Sequence, residues 1–199
     1  MNEKRQIGIF VFDGVELLDA AGPMEVFAVA DELSGGQFAH CFTFATSLNT
    51  VRAVAGMRIL PDAGIAEVER LDIVIIPGGE GVRHWMDDAA TQRELQRLAD
   101  TSTYRATVCS GALAAAKMNW ITGRDFCTHH SVVPEVLKLL PTSSVWRSDL
   151  RFVQEGALFT SAGISAGLDL ALHLVEVLHS ADLSAQVAHY MEYTPQQGF

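Results

Sequence analysis

Cys109-Ser110-Gly111 is the stretch best equipped for chemistry. It is preceded by the apolar run Tyr104 to Val108 and followed by alanine-rich Ala112 to Lys117. That pattern predicts a strand, an abrupt turn and a helix, with Cys109 at the turn. A cysteine so placed projects from the carboxyl edge of a sheet. The helix behind it points its N-terminal N–H groups and positive dipole end at the sulfur, which favours thiolate. Gly111, without a Cβ, lets the backbone turn sharply, the mechanical logic of a hydrolase nucleophile elbow with Cys in place of Ser. The same residues also fit a buried cysteine that merely packs.

Three other segments carry groups that could act on or with such a thiol. Asp19 stands out among Asp13, Glu16, Asp19 and Glu25, because it lies just before Gly22-Pro23, near the end of the first apolar run. An acid held near a thiolate shares a proton with it and can serve as general acid or base; locally, Asp19 equally fits a helix cap or a solvated side chain. Pro77-Gly78-Gly79 ends another apolar run, and glycines at a strand end can present a backbone N–H to developing negative charge or form an ordinary turn. His129, in Thr128-His129-His130, sits where an extended piece enters a helix and could orient or help ionise a cysteine. Cys127, His129 and His130 lack a second ligand group at zinc-like spacing, so no metal site is expected.

The elements that must position these residues follow from hydrophobic patterning. Ile7 to Phe12 and Leu71 to Ile76 are nearly continuous in apolar residues, as expected of strands buried on both faces of a parallel sheet. Asp13-Gly14 turns the chain into a helix from Glu16 to Leu33, expected to break near Gly22-Pro23. Ala39 to Ala45 reads as a strand, and Val51 to Val54 with Met57 to Leu60 as a short hairpin closed by Pro61-Asp62. Further helices are expected over Thr91 to Asp100, Ser131 to Leu140, Ala166 to Leu178 and Leu183 to Met191, with a loop over Asn119 to Asp125. Glu155-Gly156 marks a hairpin between Leu150 to Gln154 and Ala157 to Thr160. Ser161 to Gly167 is a run of mostly small residues that lets the next helix pack close to the sheet.

Composition bounds the rest. The 199 residues are 49% hydrophobic and 19% charged, which suits one globular domain spanning 1–199. Aspartate and glutamate total 24 against 14 lysines and arginines, for a formal charge of -10. With no basic stripe, nucleic acid is not an expected partner. The apolar run after Met1 to Gln6 is too short for a signal-peptide core or membrane span, so no membrane association and a cytoplasmic location are expected. Cys41, Cys109 and Cys127 are an odd number and are expected as free thiols.

Six ordered stretches together carry a resemblance: Phe12 to Asp19 followed by Gly22-Pro23-Met24-Glu25-Val26-Phe27; Pro77-Gly78-Gly79; Val108 to Ala112; Thr128-His129; Thr160 to Gly163; and Glu192-Tyr193-Thr194-Pro195-Gln196. Over nearly its whole length the chain resembles the ThiJ/PfpI superfamily, with the class I glutamine amidotransferase-like fold, and within it the isonitrile hydratase group. The resemblance implies an α/β, flavodoxin-like three-layer sandwich with a mainly parallel sheet and a cysteine nucleophile elbow, usually a homodimer. It implies Cys109 as nucleophile with Asp19 as the acid beside it, and hydration of a small-molecule isonitrile to an N-substituted formamide without metal or organic cofactor. Ser110 and Gly79 would supply N–H donors, with Gly78 and His129 lining the site. The alternatives are glyoxalase-like attack on a small aldehyde, or a noncatalytic ligand or oxidation sensor related to domains of AraC-type regulators. After the nucleophile, isonitrile hydratases look to carry threonine and many peptidase-like relatives histidine. Ser110 keeps the hydroxyl but loses the rotamer-restricting methyl, and it argues against a triad built on an adjacent histidine.

Overall fold

A computed structural model describes residues 4–196; the expected unit 1–199 extends beyond the described residues at both ends. The chain opens with β1 (Arg5–Phe10), α1 (Leu17–Leu33) and β2 (Ala39–Ala45), then β3 (Val51–Arg52), β4 (Arg58–Ile59) and β5 (Ala63–Gly64). β6 (Ile73–Ile76), α2 (Val82–Trp85), α3 (Ala89–Thr101), β7 (Tyr104–Val108) and α4 (Ala112–Lys117) form its middle. β8 (Asp125–Phe126), α5 (Val133–Lys138), β9 (Val145–Trp146), β10 (Phe152–Glu155), β11 (Leu158–Ser161), α6 (Ala166–Leu178) and α7 (Ala181–Tyr190) complete it.

The main sheet runs β10-β11-β7-β6-β1-β2-β5. Every neighbouring pair is parallel except β10 with β11, the antiparallel hairpin at Glu155-Gly156. Ile7, Ile9, Ile73 and Ile75 are fully buried and pair across β1 and β6, as strands covered on both faces require. α1, α6 and α7 pack together, whereas α2, α4 and α5 form a second group and α3 lies against β6. The result is the flavodoxin-like α/β sandwich. From β1 the chain winds one way to β2, then returns to β6 and winds the other way. The crevice beyond the carboxyl ends of β1 and β6 is therefore the topological switch point, where open parallel sheets hold their ligands.

Several boundaries differ from expectation. The two central strands are Arg5–Phe10 and Ile73–Ile76, and β5, α2 and β9 carry too few residues to leave a periodic signal. The expected helix over Ser131 to Leu140 is a turn at His130–Val132 followed by the short α5. α1 does not break at Gly22-Pro23 but runs through it with Pro23 inside. Proline removes only one ladder hydrogen bond there. The tertiary contact outweighs that loss: Gly22 is a notch in which a Cβ would lie 3.2 Å from Leu168 of α6, and Pro23 is buried against the same helix near Gly167. Continuity of α1 is what carries Asp19 inward on its first turn.

Candidate active site

At the end of β7, Cys109 adopts φ +57°, the left-handed region that a cysteine occupies only when its surroundings enforce it. Those surroundings are specific. The Cys109 N–H donates to the Ala162 carbonyl at 3.3 Å, and the buried Thr128 hydroxyl donates to the Cys109 carbonyl at 2.8 Å. Gly111, two residues on, is required because a Cβ there would run into the Ile76 carbonyl. The turn Cys109–Gly111 thus leaves β7 close against β6 and enters α4 with the Cys109 side chain at the switch point.

Asp19 meets it from α1. Its side chain is fully buried, Oδ2 accepts the Gly78 N–H at 3.0 Å, and Oδ1 has no hydrogen-bond partner among the described residues. Burial pushes this carboxyl up to about 7, against the lowering effects of the Gly78 N–H and the Cys109 thiol; the neighbouring Glu16 charge adds to the rise. Burial likewise pushes the Cys109 thiol up to about 12. The Asp19 charge is part of that rise, and the Ser110 N–H opposes it. This corrects the expectation of a dipole-stabilised thiolate. α4 is only six residues long, and a buried carboxylate beside the sulfur outweighs its dipole. The two groups form a buried acid pair in which a thiolate is favoured when Asp19 carries the proton.

The glycine loop is tightly fitted but differently wired from expectation. A Cβ on Gly78 would lie 2.6 Å from the Ser110 nitrogen and 2.8 Å from Asp19 Oδ2, so only glycine lets these two groups approach. The Gly79 N–H does not stand open for a ligand: it donates to Ser110 Oγ at 2.8 Å, and that hydroxyl lies 3.2 Å from the Gly79 carbonyl. The Gly78 N–H is on Asp19. Of the expected backbone donors, the Ser110 N–H is the one turned toward the sulfur.

His129 lies across Gly163 from the thiol. A Cβ on Gly163 would sit 2.9 Å from Cys109 Sγ and overlap the His129 ring, which places both side chains against the same glycine. The Ser131 N–H donates to His129 Nδ1 at 3.3 Å, so the neutral ring carries its proton on Nε2. Partial burial and the adjacent His130 hold its pKa below the ordinary value, which keeps it neutral at pH 7. The structure therefore brings Cys109, Asp19, Ser110, Gly78 and Gly79 into one cluster, with His129 at its margin. Thr128, Ala162 and Gly163 also build the site. Read locally, the small-residue run that contains Ala162 and Gly163 suggested close helix packing, and Thr128 carried no sign of an elbow clamp; both lie in stretches that carried the family resemblance.

A mainly parallel sandwich with a strained cysteine elbow and a buried acid at the switch point defines a class of α/β proteins whose site lies in a tight crevice between strand ends. The chain belongs to the DJ-1/PfpI family, whose model matches residues 5–177. It is 31% identical to an isonitrile hydratase of Pseudomonas putida over 194 residues, covering 98% of this chain and 81% of that protein. It is 28% identical to the HTH-type transcriptional regulator GbdR of Pseudomonas aeruginosa over 193 residues, covering 95% of this chain but only 51% of the regulator. Among solved structures, a ThiJ/PfpI family protein from Pseudomonas syringae superposes with a TM-score of 0.85 at 26% identity, covering 99% of this chain and 78% of that one. Among the described residues, no helix is long and apolar enough to cross a membrane.

Proposed function

We propose that the protein hydrates an isonitrile to an N-substituted formamide, with Cys109 as nucleophile and Asp19 as proton carrier. The observation that carries this reading is the pairing itself: a fully buried acid at about 7, with one oxygen unpartnered, interacting with a thiol on a strained elbow. Such an acid can both give and take a proton near neutrality. With the shared proton on Asp19, the Cys109 sulfur attacks the terminal isonitrile carbon to form a C–S bond. Asp19 then transfers its proton to that carbon, giving a thioimidate. Water adds to the carbon, losing a proton to Asp19, which passes it to the nitrogen. The C–S bond breaks, the hydroxyl proton returns to Asp19, and formamide and thiolate separate. One water is consumed, and the pair regains its single proton. The scheme uses substrate, water and these side chains alone.

The Ser110 N–H steadies the sulfur as it gains and loses charge. Ser110 Oγ, held by Gly79, keeps the glycine loop in place, and neutral His129 offers an Nε2 proton at the margin. The similarity to the Pseudomonas putida isonitrile hydratase over most of both chains supports this chemistry. A second reading, a ligand-sensing unit, is favoured by one observation: the chain matches half the length of a transcriptional regulator. Ultraviolet-monitored hydration of an aryl isonitrile, beside Cys109→Ala and with formamide confirmed by mass spectrometry, separates the two. Wild-type turnover that vanishes in the variant is expected. Absence of turnover by folded wild type across several aryl and alkyl isonitriles would overturn the hydratase reading in favour of sensing.

A further inference from the structure

One residue holds both ends of the loop that presses against the thiol. The Ala162 N–H donates to the Arg151 carbonyl at 2.8 Å, and the Ala162 carbonyl in turn receives the Cys109 N–H at 3.3 Å. At the other end of the loop, Ser165 Oγ accepts from Arg151 Nη2 at 2.9 Å. Gly163, which lies against Cys109 Sγ and the His129 ring, sits between these two grips.

The second grip diverts the cap of α6. Ser165 immediately precedes that helix, where a serine ordinarily accepts an N–H from the first turn. Its hydroxyl makes no such bond among the described residues and goes to Arg151 instead. Asp169, in the first turn of α6, is 2% exposed and anchors the same guanidinium: Oδ2 accepts Arg151 Nε at 2.6 Å. Asp169 Oδ1 accepts the Tyr193 hydroxyl at 3.0 Å and the Gln196 N–H at 2.8 Å, so the stretch after α7 closes over this carboxylate. With Nε fixed on Asp169, the planar fork has one way to place Nη2, and that is on Ser165.

We propose that Arg151 is a positioning residue for Cys109. By tying Ala162 to Ser165 it keeps the Ala162 carbonyl on the Cys109 N–H, and so keeps the cysteine in the left-handed conformation that its surroundings must enforce. Asp169 and the tail act one step further back, by fixing the fork. The consequence for turnover rests on the reading of Cys109 as nucleophile. A misplaced attacking atom slows bond formation more than substrate capture, so the loss falls on kcat rather than KM.

Selective ¹⁵N-cysteine labelling of the full chain gives three amide signals for its three cysteines, and Cys41→Ala, Cys109→Ala and Cys127→Ala assign them. Arg151→Lys keeps the charge but loses the fork; it is expected to speed hydrogen exchange of the Cys109 N–H about tenfold, with Cys41, across the sheet on β2, changed less than about twofold. In the same variant kcat for an aryl isonitrile is expected to fall about tenfold, with KM held within about twofold. Ser165→Ala changes an exposed side chain, makes no demand on the core and removes one grip; about fivefold on exchange and on kcat is expected, the value of one hydrogen bond. Cys109 exchange unchanged in both variants overturns the proposal. So does equal acceleration at Cys109 and Cys41, which marks a general loosening of the fold, or an unchanged kcat in Arg151→Lys beside an active wild type. A folded wild type that hydrates no isonitrile removes the hydratase reading instead, and the contrast in exchange between Cys109 and Cys41 then decides the positioning role by itself.

Discussion

Cys109 and Cys127 are both buried thiols, and burial pushes both up to about 12, yet their surroundings differ in what a proton can do. Cys127 is fully enclosed on the extended segment after β8, and its Sγ donates to the carbonyls of Arg147 and Leu150 at 3.5 Å. Those acceptors cannot take the proton away, so ionisation there only forfeits two weak bonds. Cys109 instead faces Asp19, whose carboxyl near 7 can hold the proton the sulfur gives up, with the Ser110 N–H to receive the charge. On the proposed reading, burial is common to an inert and a reactive cysteine. The partner that can carry the proton is what separates them.

The largest expected effect tests that contrast directly. Cys109→Ala should abolish isonitrile turnover, whereas Cys127→Ala should retain it within about twofold, because only the first removes the bond-forming atom. Equal losses in both would mean that either change acts through stability alone.

Asp19→Asn probes the partner. Turnover should fall about 10²–10⁴-fold, the usual worth of a positioned acid–base group. Alkylation of Cys109 by iodoacetamide near pH 8.5 should become faster in the same variant, because the Asp19 charge that holds the thiol up is gone. Opposite movements of turnover and alkylation distinguish a lost proton carrier from a damaged elbow. Turnover unchanged from wild type would exclude Asp19 from the reaction.

The same carboxyl has a stability signature. Its pKa is raised from 3.8 unfolded to about 7 folded, so the folded state binds the extra proton between those values. The stability this contributes is fully present below about pH 4 and is lost as pH rises through 7, a decline of about 4 kcal/mol at most. Denaturant unfolding of wild type should therefore show lower stability at pH 8 than at pH 5. Asp19→Asn should flatten that slope and raise stability at pH 8. A slope that persists in the variant would locate the titrating group elsewhere.

Much of this arrangement was written in local sequence. The buried runs of β1 and β6, the hairpin at Glu155-Gly156 and the strand–turn–helix at Cys109 all declare themselves by pattern, because burial on two faces and tight turns restrict residue type directly. The proton economy of the site did not. Asp19 and Cys109 are 90 positions apart in the numbering, and only the fold shows that Asp19 is sealed from water and that its charge opposes the thiolate. Pro23 misled for a related reason: its helix-breaking tendency is local, and the contact with α6 that overrides it is not. The open donor expected of Gly79 failed because Ser110, thirty-one positions later, takes that N–H.

The smallest expected effect lies at Ser110, where the resemblance to the isonitrile hydratase group leads one to expect threonine. Its hydroxyl receives the Gly79 N–H at 2.8 Å in a site that is 4% exposed. Ser110→Thr keeps that acceptor and adds one methyl, so turnover should stay within about threefold, with any loss reporting crowding by that methyl. Ser110→Ala leaves the Gly79 N–H without its acceptor and should cost about 1–3 kcal/mol in unfolding free energy, more than the threonine variant. That ordering follows if Ser110 acts by holding the Gly78-Gly79 loop, and through it Asp19, against the thiol. The reverse ordering, with alanine tolerated and threonine not, would show that the space beside the sulfur matters more than the loop, and would turn the contrast between the two cysteines from one of proton partners into one of room for a substrate.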